Sequence, residues 1–191
     1  MNTTNLFVEL IVIGVGAVIW VLLLALSVFG YPGFSLNPDL WPIFLMPFLA
    51  ITYLLGIITD RVADSLIEYI WNDDLRDSYF ENREQYYNAR RIIFLKSEKM
   101  TDLLEYGRSR LRICRGWVFN GLAIAGSLLV FKHNWTSDVS DIVYFGCGLS
   151  LSLSVLSFYS WRMLTKVEYK KIREQSAFLL NQNIDKDIAD F

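Results

Sequence analysis

Between Leu6 and Phe29 the chain runs 24 residues with one charge, Glu9. As a helix this run is about 36 Å long, more than the roughly 30 Å of a bilayer's hydrocarbon core. Three further apolar runs follow, at 40–58, 117–135 and 142–161. With 53% hydrophobic residues and a mean hydropathy of +0.32, gathered in blocks, the chain is expected to be an all-α integral membrane protein with four transmembrane helices. The fourth run contains Gly148-Leu-Ser-Leu-Ser-Leu-Ser-Val-Leu-Ser157, whose alternation would suit a strand in a soluble protein. An open strand in lipid leaves its backbone groups unpaired, so a helix is expected there too.

The expected order is an N-terminal transmembrane hairpin over 1–58, a polar module over 59–116, a second transmembrane hairpin over 117–161 and a helical tail over 162–191. The segment Gly30-Tyr-Pro-Gly-Phe-Ser-Leu-Asn-Pro-Asp39 breaks the first hairpin as a turn, and Pro47 is expected to kink the second span. No Lys or Arg precedes Arg61, so the first span reads as retained rather than as a cleaved signal, with Glu9 reaching interfacial water. Gly14, Gly16 and Ala17 suit close approach of another helix, as do Gly121 and Ala125 in the third span. Asn120 is a polar residue expected to bond a neighbouring helix. Gly146, Ser150, Ser154 and Ser157 recur on one face of the fourth span, as a packing stripe or as the lining of a pore built by several copies.

Charge sets the expected orientation. Of 18 Lys and Arg residues, 11 lie in 59–116 and six follow Trp161, whereas the far end of the second hairpin has only Lys132, near the end of span three, and none lies between spans one and two. The positive-inside rule then places both termini and residues 59–116 in the cytoplasm, as in a bacterial inner-membrane protein. Trp41 and Trp135 mark the outer interface and Trp117 and Trp161 the inner one, while Trp20 and Trp71 fit neither belt.

The module carries 11 acidic residues beside its 11 basic ones. Asp60, Asp64 and Glu68 form an acidic face one helical turn apart, and Arg108, Arg112 and Arg115 form a basic face before span three. Folding the segment back pairs Asp60 with Arg115, Asp64 with Arg112 and Glu68 with Arg108, which predicts a cytoplasmic helical hairpin with its tip near Asn88. The same register opposes Asp73 to Asp102 and Arg76 to Lys99, so a break near Trp71-Asn72-Asp73-Asp74, capped by Asn72, is expected and two or three helices result. Tyr86, Ile93, Met100, Gly107 and Cys114, with Leu104, Leu111 and Val118, give the returning helix a seam. The arginines before span three could also grip anionic lipid. Tail residues Arg162, Lys166, Lys170 and Arg173 share a face that could dock on Asp73, Asp74 and Asp77, and the last residues are expected to be loosely held.

Several function classes are disfavoured. A net charge of −2 gives no attraction to nucleic acid, and two cysteines at opposite membrane faces make no disulfide framework. His133 is the one histidine, and neither a Walker lysine motif nor a Gly-rich dinucleotide loop occurs. Gly56, Asp60 and Asp64 are similar to the second half of the metal-binding signature of CDP-alcohol phosphotransferases, which would imply a Mg-dependent lipid enzyme. The first half is absent, its place taken by Met46, Pro47 and Phe48, so no enzyme, metal or cofactor is expected. In layout the chain resembles membrane accessory and effector proteins of bacterial stress and antiviral systems. The expected function is interaction or signalling: cytoplasmic helices bind a partner or another copy and pass that state to the bundle, with an oligomeric pore as the alternative. The expected partners are the lipid bilayer, further copies of the chain and a cytoplasmic protein.

Overall fold

The structure, a computed structural model, describes residues 3–30, 41–67, 69–70, 73–134 and 140–189, without side chains for 3–5, 41, 73–74, 140 and 182–189. Six helices account for nearly all of it: α1 Thr3–Phe29, α2 Trp41–Ile67, α3 Asp73–Asp77, α4 Arg83–Lys96, α5 Glu98–Asn134 and α6 Ser140–Ala189. No strand occurs among the described residues. Four helices, α1, α2, α5 and α6, are long and apolar enough to cross a membrane, in agreement with the expected spans. The expected turn at 31–39, the outer Trp135 and the proposed cap Asn72 lie outside the described residues.

Local chemistry accounts for the ends. Gly30 adopts φ 75°, where a side chain would be strained, and its amide donates to the Leu26 carbonyl at 3.0 Å, closing α1. Pro42 stands in the first turn of α2, where its missing amide costs little, while Pro47 sits inside the helix. Asn82 caps α4 by accepting from the Gln85 amide at 2.8 Å, and Gln85 Oε1 accepts from the Glu81 amide at 2.8 Å. Ser97 ends α4 by donating its amide to Ile93 and opens α5 by accepting from the Met100 amide at 3.3 Å.

The chain forms two compact units. One holds residues 2–65 and 112–160, the other 66–111 and 161–191. Their limits fall inside α2, α5 and α6 rather than at the expected segment ends of 58 and 116.

In the first unit the four long helices alternate in direction. Gly56 of α2 lies against the Leu10 carbonyl of α1 and Gly14 against the Thr52 carbonyl, an antiparallel contact in which an added Cβ would collide with backbone. Helix α5 runs parallel to α1, since Arg112, Asn120 and Asn134 meet Glu9, Ile13 and Ser27 in the same order. Helix α6 returns antiparallel to α5, with Ser154 Oγ donating to the Val118 carbonyl at 2.9 Å and Cys147 beside Ala125. Large apolar side chains such as Met46, Phe145 and Val155 point outward from this bundle, as lipid-facing residues do.

The second unit has its own core of Phe80, Ala89, Ile93, Leu104, Tyr169, Ile172 and Leu179. Tyr169 is its hub, with ring centroids 5.5 Å from Tyr86, 6.2 Å from Phe80 and 6.2 Å from Tyr79. Helix α6 supplies this core through Tyr169, Ile172 and Leu179, which continue a buried face of Trp161, Thr165 and Ser176 at three- and four-residue steps. Two expectations are corrected here. Asn88 lies inside α4 instead of at a tip, because the caps at Asn82 and Ser97 make 83–96 one helix. The seam from Tyr86 to Val118 is divided at Ser97 between two helices, although Tyr86, Ile93, Met100 and Leu104 all meet the core. The tail stays helical to Ala189.

Candidate functional site

The polar side chains of the four-helix unit gather at two levels. At one end, α2 offers Asp60 and Asp64 one turn apart, α5 offers Arg112 and Arg115 three residues apart on one face, and α1 adds Glu9. The Gly56 to Leu10 contact brings this about: it holds Glu9, next to Leu10, at the level of Asp60, one turn beyond Gly56.

Arg112 lies 3.3 Å from Glu9 and 3.5 Å from Asp60, and Arg115 lies 3.9 Å from Asp60 and pairs with Asp64. Of the expected pairs, Asp60 with Arg115 is present. Arg112, assigned to Asp64, is taken instead by Asp60 and Glu9, because α1 approaches from the third side and guanidiniums are long enough to bridge two acids. Glu68, the expected partner of Arg108, lies outside the described residues. Arg108 belongs to the other compact unit, where Glu168 of α6 feels its charge.

Glu9 and Asp60 are 5% and 6% exposed, so their charges are held away from water and depend on the arginines. The expectation that Glu9 reaches water is therefore corrected. Its signal was in the sequence: a lone carboxylate in a span needs a partner, and the arginines before span three lie at the same end of the bundle. Three carboxylates face two guanidiniums, and two atoms remain without a hydrogen-bond partner, Asp60 Oδ1 and Arg115 Nε. Both aspartates similar to phosphotransferase ligands are thus engaged by arginines. Among the described residues no group of three or more His, Cys, Asp or Glu could hold a metal ion.

The second level is Asn120, fully buried, whose Nδ2 donates to the Ile13 carbonyl at 2.8 Å and whose Oδ1 accepts from Trp20 Nε1 at 3.3 Å. Trp20, which fits neither interfacial belt, has this interior partner. The serine stripe turns toward α5: Ser154 donates to Val118, Ser150 donates to Gly146 of its own helix, and both are buried against Gly121. Ser157 and Gly146 are half-buried on the same face. At the opposite end Lys132 sits 3.6 Å above the Tyr144 ring, and Asn134 Nδ2 donates to Ser27 Oγ at 2.8 Å.

In the other unit, Asp77 pairs with Arg76 at 3.1 Å, and Arg173 stacks 5.8 Å above Tyr79. The tail's Lys170 pairs with Glu174 of its own helix at 3.8 Å. The side chains of Asp73 and Asp74 lie outside the described residues. Tyr169 as the core hub went unread in the sequence, although the three- and four-residue steps from Trp161 to Leu179 announce an apolar face.

No protein-family model, no curated protein and no solved structure matches this chain.

Proposed function

We propose that this chain is a non-enzymatic membrane protein of the interaction or signalling type, in which cytoplasmic helices bind a partner or another copy and bias the packing of a four-span bundle. In this reading both termini and residues 59–116 lie in the cytoplasm, in a bacterial inner membrane, and the module folds back as a helical hairpin. The observation that carries it is the fate of the polar groups within the spans. Glu9, Asp60, Asp64, Arg112 and Arg115 are ion-paired with one another, with Asp60 Oδ1 and Arg115 Nε left without a hydrogen bond, and Asn120, Ser150 and Ser154 bond backbone or Trp20. Such groups set helix positions rather than present a reactive centre. Helices α5 and α6 each continue unbroken from an apolar span into the second unit's core, which gives binding outside the membrane a route to the bundle.

The test is the oligomeric state of the purified full chain in mild detergent, followed by reconstitution into dye-loaded liposomes. Discrete oligomers without dye release are expected. A monomer that captures no partner on crosslinking in intact cells would sink the interaction reading, and dye release would replace it with the pore.

A further inference from the structure

Within the second unit, α4 and α5 each carry an exposed stripe of residues one helical turn apart. On α4 the stripe is Tyr87, Arg91 and Leu95, and on α5 it is Glu98, Asp102 and Tyr106. Leu95 is 75% exposed and Tyr106 61%, and exposed Phe94 and Leu103 widen the two patches. Each patch is therefore apolar with a charge at its centre. Hydrocarbon is a poor cover for such a surface, whereas a protein surface with the opposite charge is a good one.

The two patches are opposite in sign. Residues 83–96 hold Arg83, Arg90, Arg91 and Lys96 against Glu84, whereas 98–106 hold Glu98, Asp102 and Glu105 against Lys99. The guanidiniums of Arg83 and Arg90 lie 5.9 Å over the Tyr87 ring and 5.5 Å over the Phe94 ring, which holds positive charge beside the α4 stripe. Arg91, Glu98 and Asp102 have no ion-pair partner among the described residues, so one copy does not pair its own two patches. The stripes also match in length: Tyr87 to Leu95 and Glu98 to Tyr106 are each eight positions, about 12 Å of helix, with the charge in the middle. Laid together in either direction, they set Arg91 against Asp102. An unrelated acidic helix would answer α4 and leave α5 uncovered, while another copy of the chain answers both.

We propose that the chain binds a second copy of itself through these faces, the α4 stripe of one copy packing on the α5 stripe of the next with Arg91 on Asp102 as the central pair. This rests on the interaction reading above and names its partner as the chain itself.

The test is self-association of the full chain in mild detergent, read as energy transfer between donor- and acceptor-labelled copies over a dilution series. Arg91→Glu and Asp102→Lys should each weaken it by about tenfold or more, because each sets like charges face to face. Both substitutions in one chain should restore it to within about threefold, which also shows that neither single variant had merely misfolded. Lys166→Glu, at an exposed position of α6, should leave it unchanged. Losses in both single variants without recovery in the combined chain would deny the pairing. Variants that all associate as tightly as the wild type would overturn this surface and leave self-assembly standing. A monomeric wild type that captures a different protein on crosslinking in cells would overturn the second copy as occupant, and the interaction reading would survive. Should the charge variants fail to fold, Tyr87→benzoylphenylalanine in the otherwise wild-type chain decides. Photocrosslinks to 98–106 of an isotope-labelled second copy support the surface, and crosslinks confined elsewhere overturn it.

Discussion

Among single residues, Arg112 carries more than its position suggests. It lies between Glu9 and Asp60, both nearly sealed from water, so removing it strands Glu9 and leaves Asp60 with Arg115 alone, whereas removing Glu9 strands no carboxylate. Arg112→Met is expected to destabilise the bundle by about 3–5 kcal/mol and Glu9→Gln by clearly less, read from denaturant unfolding in detergent. Equal small losses would show the cluster to be solvated. Tyr86 gives a pH signature. Burial pushes its hydroxyl above the ordinary value of 10.0, against the opposing influence of Arg90. The unfolded chain therefore loses this proton before the folded one does. The contribution to stability is complete below pH 10 and declines as pH rises through the folded value, and Tyr86→Phe should flatten that decline in a thermal-unfolding series. An identical alkaline profile for both proteins would assign the decline to other groups.

At the scale of the element, the contact between α1 and α2 is backbone on backbone. Gly56→Ala places a methyl on the Leu10 carbonyl and should cost about 1–3 kcal/mol, because the atoms it meets are backbone and no flexible side chain can move aside. Gly148→Ala, with open space around it, should be neutral or stabilising by up to about 1 kcal/mol. Melting temperatures in one detergent compare the two, and equal effects would deny the close approach. The glycines were legible in the sequence as small residues in spans, but their partners were not, since a one-dimensional pattern does not say which helix comes near. The break at Ser97 was legible and went unread: a serine before Glu98 is a helix start, and the longer heptad seam concealed it.

For the whole molecule, the orientation is testable because the proposed sides differ in charge. With Cys114→Ser and Cys147→Ala as background, a cysteine at exposed Tyr87 or Lys166 should escape a membrane-impermeant maleimide added to intact cells, and one at His133 should react. Labelling of Tyr87→Cys from outside would invert the topology. By itself the sequence determined that four helices can span a membrane and that acids of α2 and arginines of α5 gather at the same end of the bundle. Both follow from lipid, in which each span must satisfy its own backbone and charges collect at span ends. Only the tertiary structure decided that Glu9 takes Arg112 from Asp64, that Trp20 meets Asn120 and that Tyr169 centres an aromatic core. Each of those choices needed a third helix. The periodicity of one helix, or the register of two, says which face is polar or apolar, while the neighbour that satisfies it is selected by packing in three dimensions.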